Sequence, residues 1–160
     1  MAISTLHTND APSAITRLLE LGVAPYLIKA ALLGVMAQRL VRTLWPHCAS
    51  KRPSDKDGWK MLTTRWKRCM AQPPAEMSFP AVCLECRETG YMGREEIYEV
   101  LPVTDAIKNW IPPNAEIGKL RLAAMKEGMK TQRFSGALKV AEGRTTIEEV
   151  VRVAPITNHE

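Results

Sequence analysis

The chain has 160 residues, enough for one ordinary domain with a core of its own. It is 46% apolar and 24% charged, as soluble globular proteins are, and no uninterrupted apolar stretch reaches the length of a membrane span. The N-terminus lacks a basic region followed by an apolar run, so the expectation is a cytosolic chain with reduced cysteines.

In chain order, Ile3 to Leu6 reads as a short buried strand, and His7, Thr8, Asn9 and Asp10 read as a polar turn. A polar turn at the end of a buried strand is a common place for a site. By itself His7 is either a hydrogen-bonded turn histidine or a group that reaches a phosphate or a metal-bound water. Asn9 or Asp10 can cap a helix that has Pro12 in its first turn, an apolar face of Ile15, Leu18, Leu19 and Leu21, and Gly22 as its end. Pro25 opens a second helix with Ile28, Leu32, Val35, Met36 and Leu40 on one side. Arg39 and Arg42 fall in its last turns, where cations suit the helix dipole, and Pro46 closes it.

A third helix is expected over 55–70, with Trp59, Leu62, Trp66 and Cys69 at helical spacing and Lys56, Lys60 and Lys67 on another face. Residues 51–70 carry seven basic side chains against Asp55 and Asp57, which accounts for the whole net charge of +5. The basicity is therefore local. It makes either a solvated face or a surface for a phosphate backbone or an anionic membrane. Residues 72–80, with three prolines, read as a loop, and 95–103 as the best later strand. Helices are expected near 104–110, 114–127, 133–141 and 145–153, the last with a capping box of Thr145 and Glu148, followed by a frayed tail from Ala154. The expected body is mainly helical with few strands.

The residues with the most specific chemistry are cysteines. Cys83 and Cys86 form a CxxC with a glycine turn just after, which holds two thiolates about where a zinc ion needs them. The matching upstream knuckle would be Trp45-Pro46-His47-Cys48, in which Trp45 stands where a first cysteine is expected. Cys48, Cys83 and Cys86 thus supply three of four ligands, with His47, Cys69 or water for the fourth; residue habit alone makes Cys69 a small buried hydrophobe. No GxxxxGK[ST] phosphate loop occurs, no strand ends in paired acids that could hold Mg²⁺, and no complete active site is visible.

Read together, "STLHTNDAPSAITRLLELGV" (4–23), "GVMAQRLVRTLWPHC" (34–48), "CLECRETGYMGREEIYEVLPV" (83–103) and "EGMKTQRFSGALKVAEGRTTIEEVVRV" (127–153) resemble the secretion ATPase superfamily, and within it the type II secretion and type IV pilus assembly ATPases. The resemblance covers nearly the whole chain. It implies an α/β fragment, mostly α: the C-terminal half of a RecA-like P-loop ATPase domain with a cysteine-knuckle, zinc-type module and a helical C-terminal end. The implied segments are 1–44 for the ATPase core portion, 45–94 for a basic, cysteine-containing module with a degenerate zinc site, and 95–160 for a strand plus helical subdomain.

By the same resemblance "STLHTN" is the histidine box, so His7 would approach the γ-phosphate of ATP as a catalytic residue. Arg39 matches the arginine of "AQRL", on the nucleotide side, and Cys48, Cys83 and Cys86 match three zinc cysteines. The implied function is that of a fragment of a hexameric motor that does not hydrolyse ATP alone, with ATP and Mg²⁺ as cofactors only in the full-length protein. The implied partners are further copies of the chain and an inner-membrane platform protein, at the cytoplasmic face of the bacterial inner membrane, with peripheral membrane association and no nucleic acid. The alternatives are a basic module that docks on nucleic acid or a membrane platform, and an interaction partner of an intact secretion ATPase. Two positions depart from the family pattern: Trp45, and the acidic pair Glu95-Glu96 beside a strand expected to be buried.

Overall fold

Asp10 starts the regular structure. Its backbone is extended and its carboxylate accepts a hydrogen bond from the Ser13 N–H at 2.8 Å, which caps α1 (Ala11–Glu20) with Pro12 in the first turn. The helix ends in a Schellman motif, with Val23 N–H donating to Leu18 O and Gly22 N–H to Leu19 O. Gly22 sits at φ +87°, the left-handed conformation that this motif requires and that glycine adopts without steric cost.

In this computed structural model residues 1–64, 72–111 and 116–155 are described. They form α1, α2 (Pro25–Ala31), β1 (Gly34–Leu44), β2 (Ser50–Pro53), α3 (Lys56–Thr63), β3 (Glu76–Phe79), β4 (Tyr91–Pro102), α4 (Asp105–Lys108), α5 (Ile117–Lys126), α6 (Gln132–Ala141) and α7 (Ile147–Val153). β1 pairs with β4, and β2 pairs antiparallel with β3 in the register Ser50 to Phe79 through Pro53 to Glu76. The described chain is an α/β protein.

Four expectations change. Residues 3–6 form no strand, and Ile3 and Leu6 are exposed; a strand needs a ladder partner, and none of the described strands pairs with this segment. The second helix stops at Ala31, and 34–44 is a strand. There Val35, Ala37, Arg39 and Val41 are each more buried than the residues that flank them up to Leu40, the period of two that a pleated strand imposes. Arg39 and Arg42 therefore sit on β1, not in the last turns of a helix. The stretch 72–80 is not all loop, because β3 forms between Pro74 and Pro80. The last helix is capped one residue later than expected: Thr146 accepts from the Glu149 N–H, while the Thr145 hydroxyl donates to Arg42 O at 2.8 Å. The helix expected over 55–70 is described as far as Thr63, capped by Asp55. Trp66, Lys67 and Cys69 lie outside the described residues, as does the tail from residue 156.

The chain divides into two compact units. One contains residues 1–38 and 98–131, the other 39–97 and 132–155 among the described residues. In the first, Ile15 of α1, Ile28 of α2, Leu101 of β4, Ile107 of α4, Ile111 after α4 and Leu120 of α5 form a core. A buried polar frame accompanies it: Arg121, 3% exposed, holds the Asp10 carboxylate at 2.7 Å, and Glu99 accepts the Ala11 N–H. In the second, Val41, Trp59, Leu62, Met77, Ile97, Val140 and Val150 form a separate core. Gly136 lets α6 lie against α7, since a Cβ there would fall 2.5 Å from Val150 Cγ1.

Candidate metal centre

Two turns of the second unit build the centre. After β1 the chain turns through Trp45-Pro46-His47-Cys48, with the Cys48 and Ala49 N–H groups both donating to Trp45 O. Trp45 N–H in turn donates to Gly90 O at 3.0 Å, which fixes this turn to the second one. The second turn runs from Cys83 to Gly90, with Arg87 N–H donating to Leu84 O, Glu88 N–H to Cys83 O and Thr89 N–H to Cys86 O. Arg87 and Glu88 both adopt left-handed backbone conformations, at φ 53° and 58°, which non-glycine residues adopt at a cost of roughly 1–2 kcal/mol each. Only glycine fits at 90: φ is +76°, and a Cβ would lie 2.4 Å from the Pro80 ring.

The tight return aims the Gly90 N–H at Cys86 Sγ, 3.1 Å away. Cys86 Sγ lies 3.5 Å from Cys83 Sγ and 3.8 Å from Cys48 Sγ, and all three sulfurs fall within 4.8 Å of one another. A zinc ion at about 2.3 Å from each thiolate in tetrahedral geometry sets sulfurs roughly 3.8 Å apart. The residues present therefore fit a metal ion: two sulfur–sulfur edges near that separation and the third within 4.8 Å, one sulfur already receiving a backbone N–H, and no disulfide among them.

The electrostatics follow from the same geometry. Burial opposes ionisation of Cys86, but the backbone at Cys83 and Gly90 and the neighbouring thiols outweigh it, and its pKa falls to about 6. At Cys48 burial and the other two sulfurs act together and push the thiol up to about 12. The first negative charge of the trio thus settles on Cys86, and a second needs a compensating cation, which a metal supplies. Cys86 is buried, while Cys48 and Cys83 are half-buried at the surface.

The three cysteines singled out in the sequence thus come together. His7 lies in the exposed segment before α1, where Thr8 Oγ1 donates to Asp10 O. Arg39 is half-buried on β1 in the same alternate row as Val41. His7 and Arg39 belong to different units. Trp45 does not face the cluster as a donor of charge: its indole N–H donates to Glu85 Oε2 at 3.3 Å, and its ring lies against His47 with centroids 4.7 Å apart. Of the acidic pair on β4, Glu95 has a local explanation, since it bonds both Lys139 and Arg144. A groove of 540 Å³ in the same unit, floored by Met61, Met77, Phe79 and Ile147, contains none of the predicted site residues.

Sequence reasoning missed two features. One is the supporting role of Gly90, for which "TGY" after the CxxC was the available signal. The other is Glu149, whose carboxylate accepts from the Arg42 N–H and guanidinium and from Arg152. Nothing in the sequence announces a pairing 107 residues apart.

The sequence matches the family described as type II/IV secretion system protein over residues 1–152. Among curated relatives it is similar to the type IV pilus assembly ATPase TfpB of Acinetobacter baylyi, at 46% identity over 157 residues, 98% of this chain and 26% of that protein. It is 38% identical to the type II secretion system protein HxcR of Pseudomonas aeruginosa, over 96% of this chain and 28% of the relative. With the type II secretion system ATPase E of Vibrio cholerae the identity is 40%, over 96% of this chain and 29% of the relative. The chain therefore spans between a quarter and a third of the length of these relatives.

Proposed function

Because this chain belongs to the type II/IV secretion system protein family, we propose that it is the part of a type II secretion or type IV pilus assembly motor ATPase that follows the phosphate loop. The observation that carries this reading is the 46% identity to a pilus assembly ATPase over 98% of the chain. In such a motor the 1–44 segment would complete a RecA-like core, 45–94 would be the metal module, and 95–160 the helical end. His7 would face the nucleotide phosphates, where catalysis is mostly positioning and electrostatics, and Arg39 would support the nucleotide side. The motor would be a hexamer acting on a platform protein at the inner membrane.

The sequence holds no phosphate loop and no strand ending in paired acids, so the 160-residue chain by itself does not turn over ATP. A phosphate-release assay on pure protein tests this, and sustained turnover would overturn it. Cys48, Cys83 and Cys86 would hold one zinc ion, which ties the turn after β1 to the turn before β4. Elemental analysis of protein purified without a metal-binding tag is expected to give about one zinc per chain; metal-free protein after growth with zinc would remove this part of the reading.

A further inference from the structure

We propose that Cys48, Cys83 and Cys86 form an open three-thiolate centre, in which one coordination position of the bound ion is filled by an exogenous small ligand and not by a side chain of the described residues. This inference rests on the reading of the cluster as a zinc centre.

Four observations carry it. First, the two turns offer four knuckle positions, and the one at residue 45 holds a tryptophan, a donor with no lone pair for a metal. Second, the Trp45 indole N–H donates to Glu85 Oε2, and no carboxylate of the second turn belongs to the cluster of ligating groups among the described residues. Third, among the described residues the group of metal-ligating side chains has three members, and His47, next to Cys48 in sequence, is not one of them; its ring packs at a tilt against that of Trp45. Fourth, the centre lies at the surface. Cys48 and Cys83 are half-buried, and Val82 and Leu84, which flank Cys83, are 70% and 87% exposed.

A structural zinc site is closed by four protein ligands, whereas an ion held by three keeps a position for water or a small nitrogen or sulfur ligand. The edge lengths of 3.5 and 3.8 Å suit an ion held by these sulfurs. The exogenous ligand is a small neutral or anionic donor that reaches the exposed side of the two half-buried cysteines.

The test uses the full chain with Co²⁺ in place of zinc, because cobalt reports its ligands in the visible spectrum. One cobalt per chain should bind, and imidazole should shift the ligand-field bands saturably with the cobalt retained. In Trp45→Cys the thiolate-to-cobalt absorption should rise by about a third, as three thiolates become four, and the imidazole response should vanish. Cobalt that binds but ignores imidazole would overturn the open centre while leaving the zinc reading intact, and His47→Ala and Cys69→Ala would then show which side chain closes it. A chain that binds no cobalt would overturn both. If Trp45→Cys fails to fold, the imidazole titration of the unaltered chain still decides.

Discussion

Glu149 shows how much one side chain can hold. Its side chain is 1% exposed and accepts from the Arg42 backbone N–H, the Arg42 guanidinium at 2.5 Å, and Nε and one terminal nitrogen of Arg152. Burial alone would raise its pKa, but these bonds outweigh burial and lower it to about 2. A depressed carboxylate pKa contributes stability above the unfolded value, near 4.5, and the contribution is lost as pH falls through about 2. The expected result is an acid-induced loss on the order of 3 kcal/mol between these values, seen in urea unfolding curves taken from pH 5 downward. Glu149→Gln should be less stable at pH 7 and should flatten that loss; an unchanged pH slope would show that Glu149 does not carry it. Asp10 offers a second case, with a hydrogen bond to the α1 N-terminus and an ion pair to buried Arg121. Asp10→Ala removes both and should cost roughly 3 kcal/mol, whereas Asp10→Asn keeps the cap and should cost less. The cap at Asp10 was legible from "NDAPS", because capping chemistry is local. The cap at the last helix was misplaced by one residue, because "TTIEEV" offers two equally spaced Thr–Glu pairs and only the contact with Arg42 O decides between them.

At the scale of elements, the clearest misreading was β1. "GVMAQRLVRTL" carries apolar residues at both helical and alternate spacing, so its pattern fits two periods. Pairing with β4, a partner more than 45 residues away in sequence, selects the alternate one. β3 was hidden for a related reason: prolines on either side advertised a loop, and only the ladder to β2 makes four residues between them a strand. The cysteine centre was more legible than either, because metal-ligand spacing is itself a local signal, and the structure adds the two left-handed residues and Gly90 that close the turn. A test at this scale is the crossing of α6 with α7. Gly136→Ala would place a methyl group 2.5 Å from Val150 Cγ1, and overpacking of this kind costs about 1–3 kcal/mol. Val150→Ala made together with it should recover part of the loss, so the double-mutant cycle should be non-additive in chemical denaturation; strictly additive losses would show that the two helices do not meet through this contact.

At the scale of the whole molecule, the basic stretch and the cysteine cluster set the expected solution behaviour. Of the basic stretch, Arg52 lies over the Phe79 ring at 5.5 Å, which gives one of its charges a structural role. We expect binding to DNA or anionic vesicles to be weak at low salt and to vanish near 150 mM; retention at that ionic strength in a salt titration would favour the docking alternative. A metal that binds the folded turns and not the unfolded chain raises stability by mass action. With zinc in the cysteine cluster, as proposed above, chelation is expected to lower the melting temperature by several degrees, on the order of 1–3 kcal/mol, and calorimetry with and without chelator measures it.

Each compact unit is assembled from stretches that alternate along the chain, with the passage from one to the other falling inside β1 and again inside β4. Synthesis on the ribosome proceeds from one end, so neither core can close as soon as a contiguous length has emerged. The first unit waits for α5, and the second for α7, with its Val150 and Glu149. Until then the nascent chain presents half-built cores and unpaired strand edges, the state in which chains stick to one another. A gene cut anywhere between β1 and α5 would leave both units unfinished, so truncation should be far more damaging here than in a protein whose domains follow one another like beads.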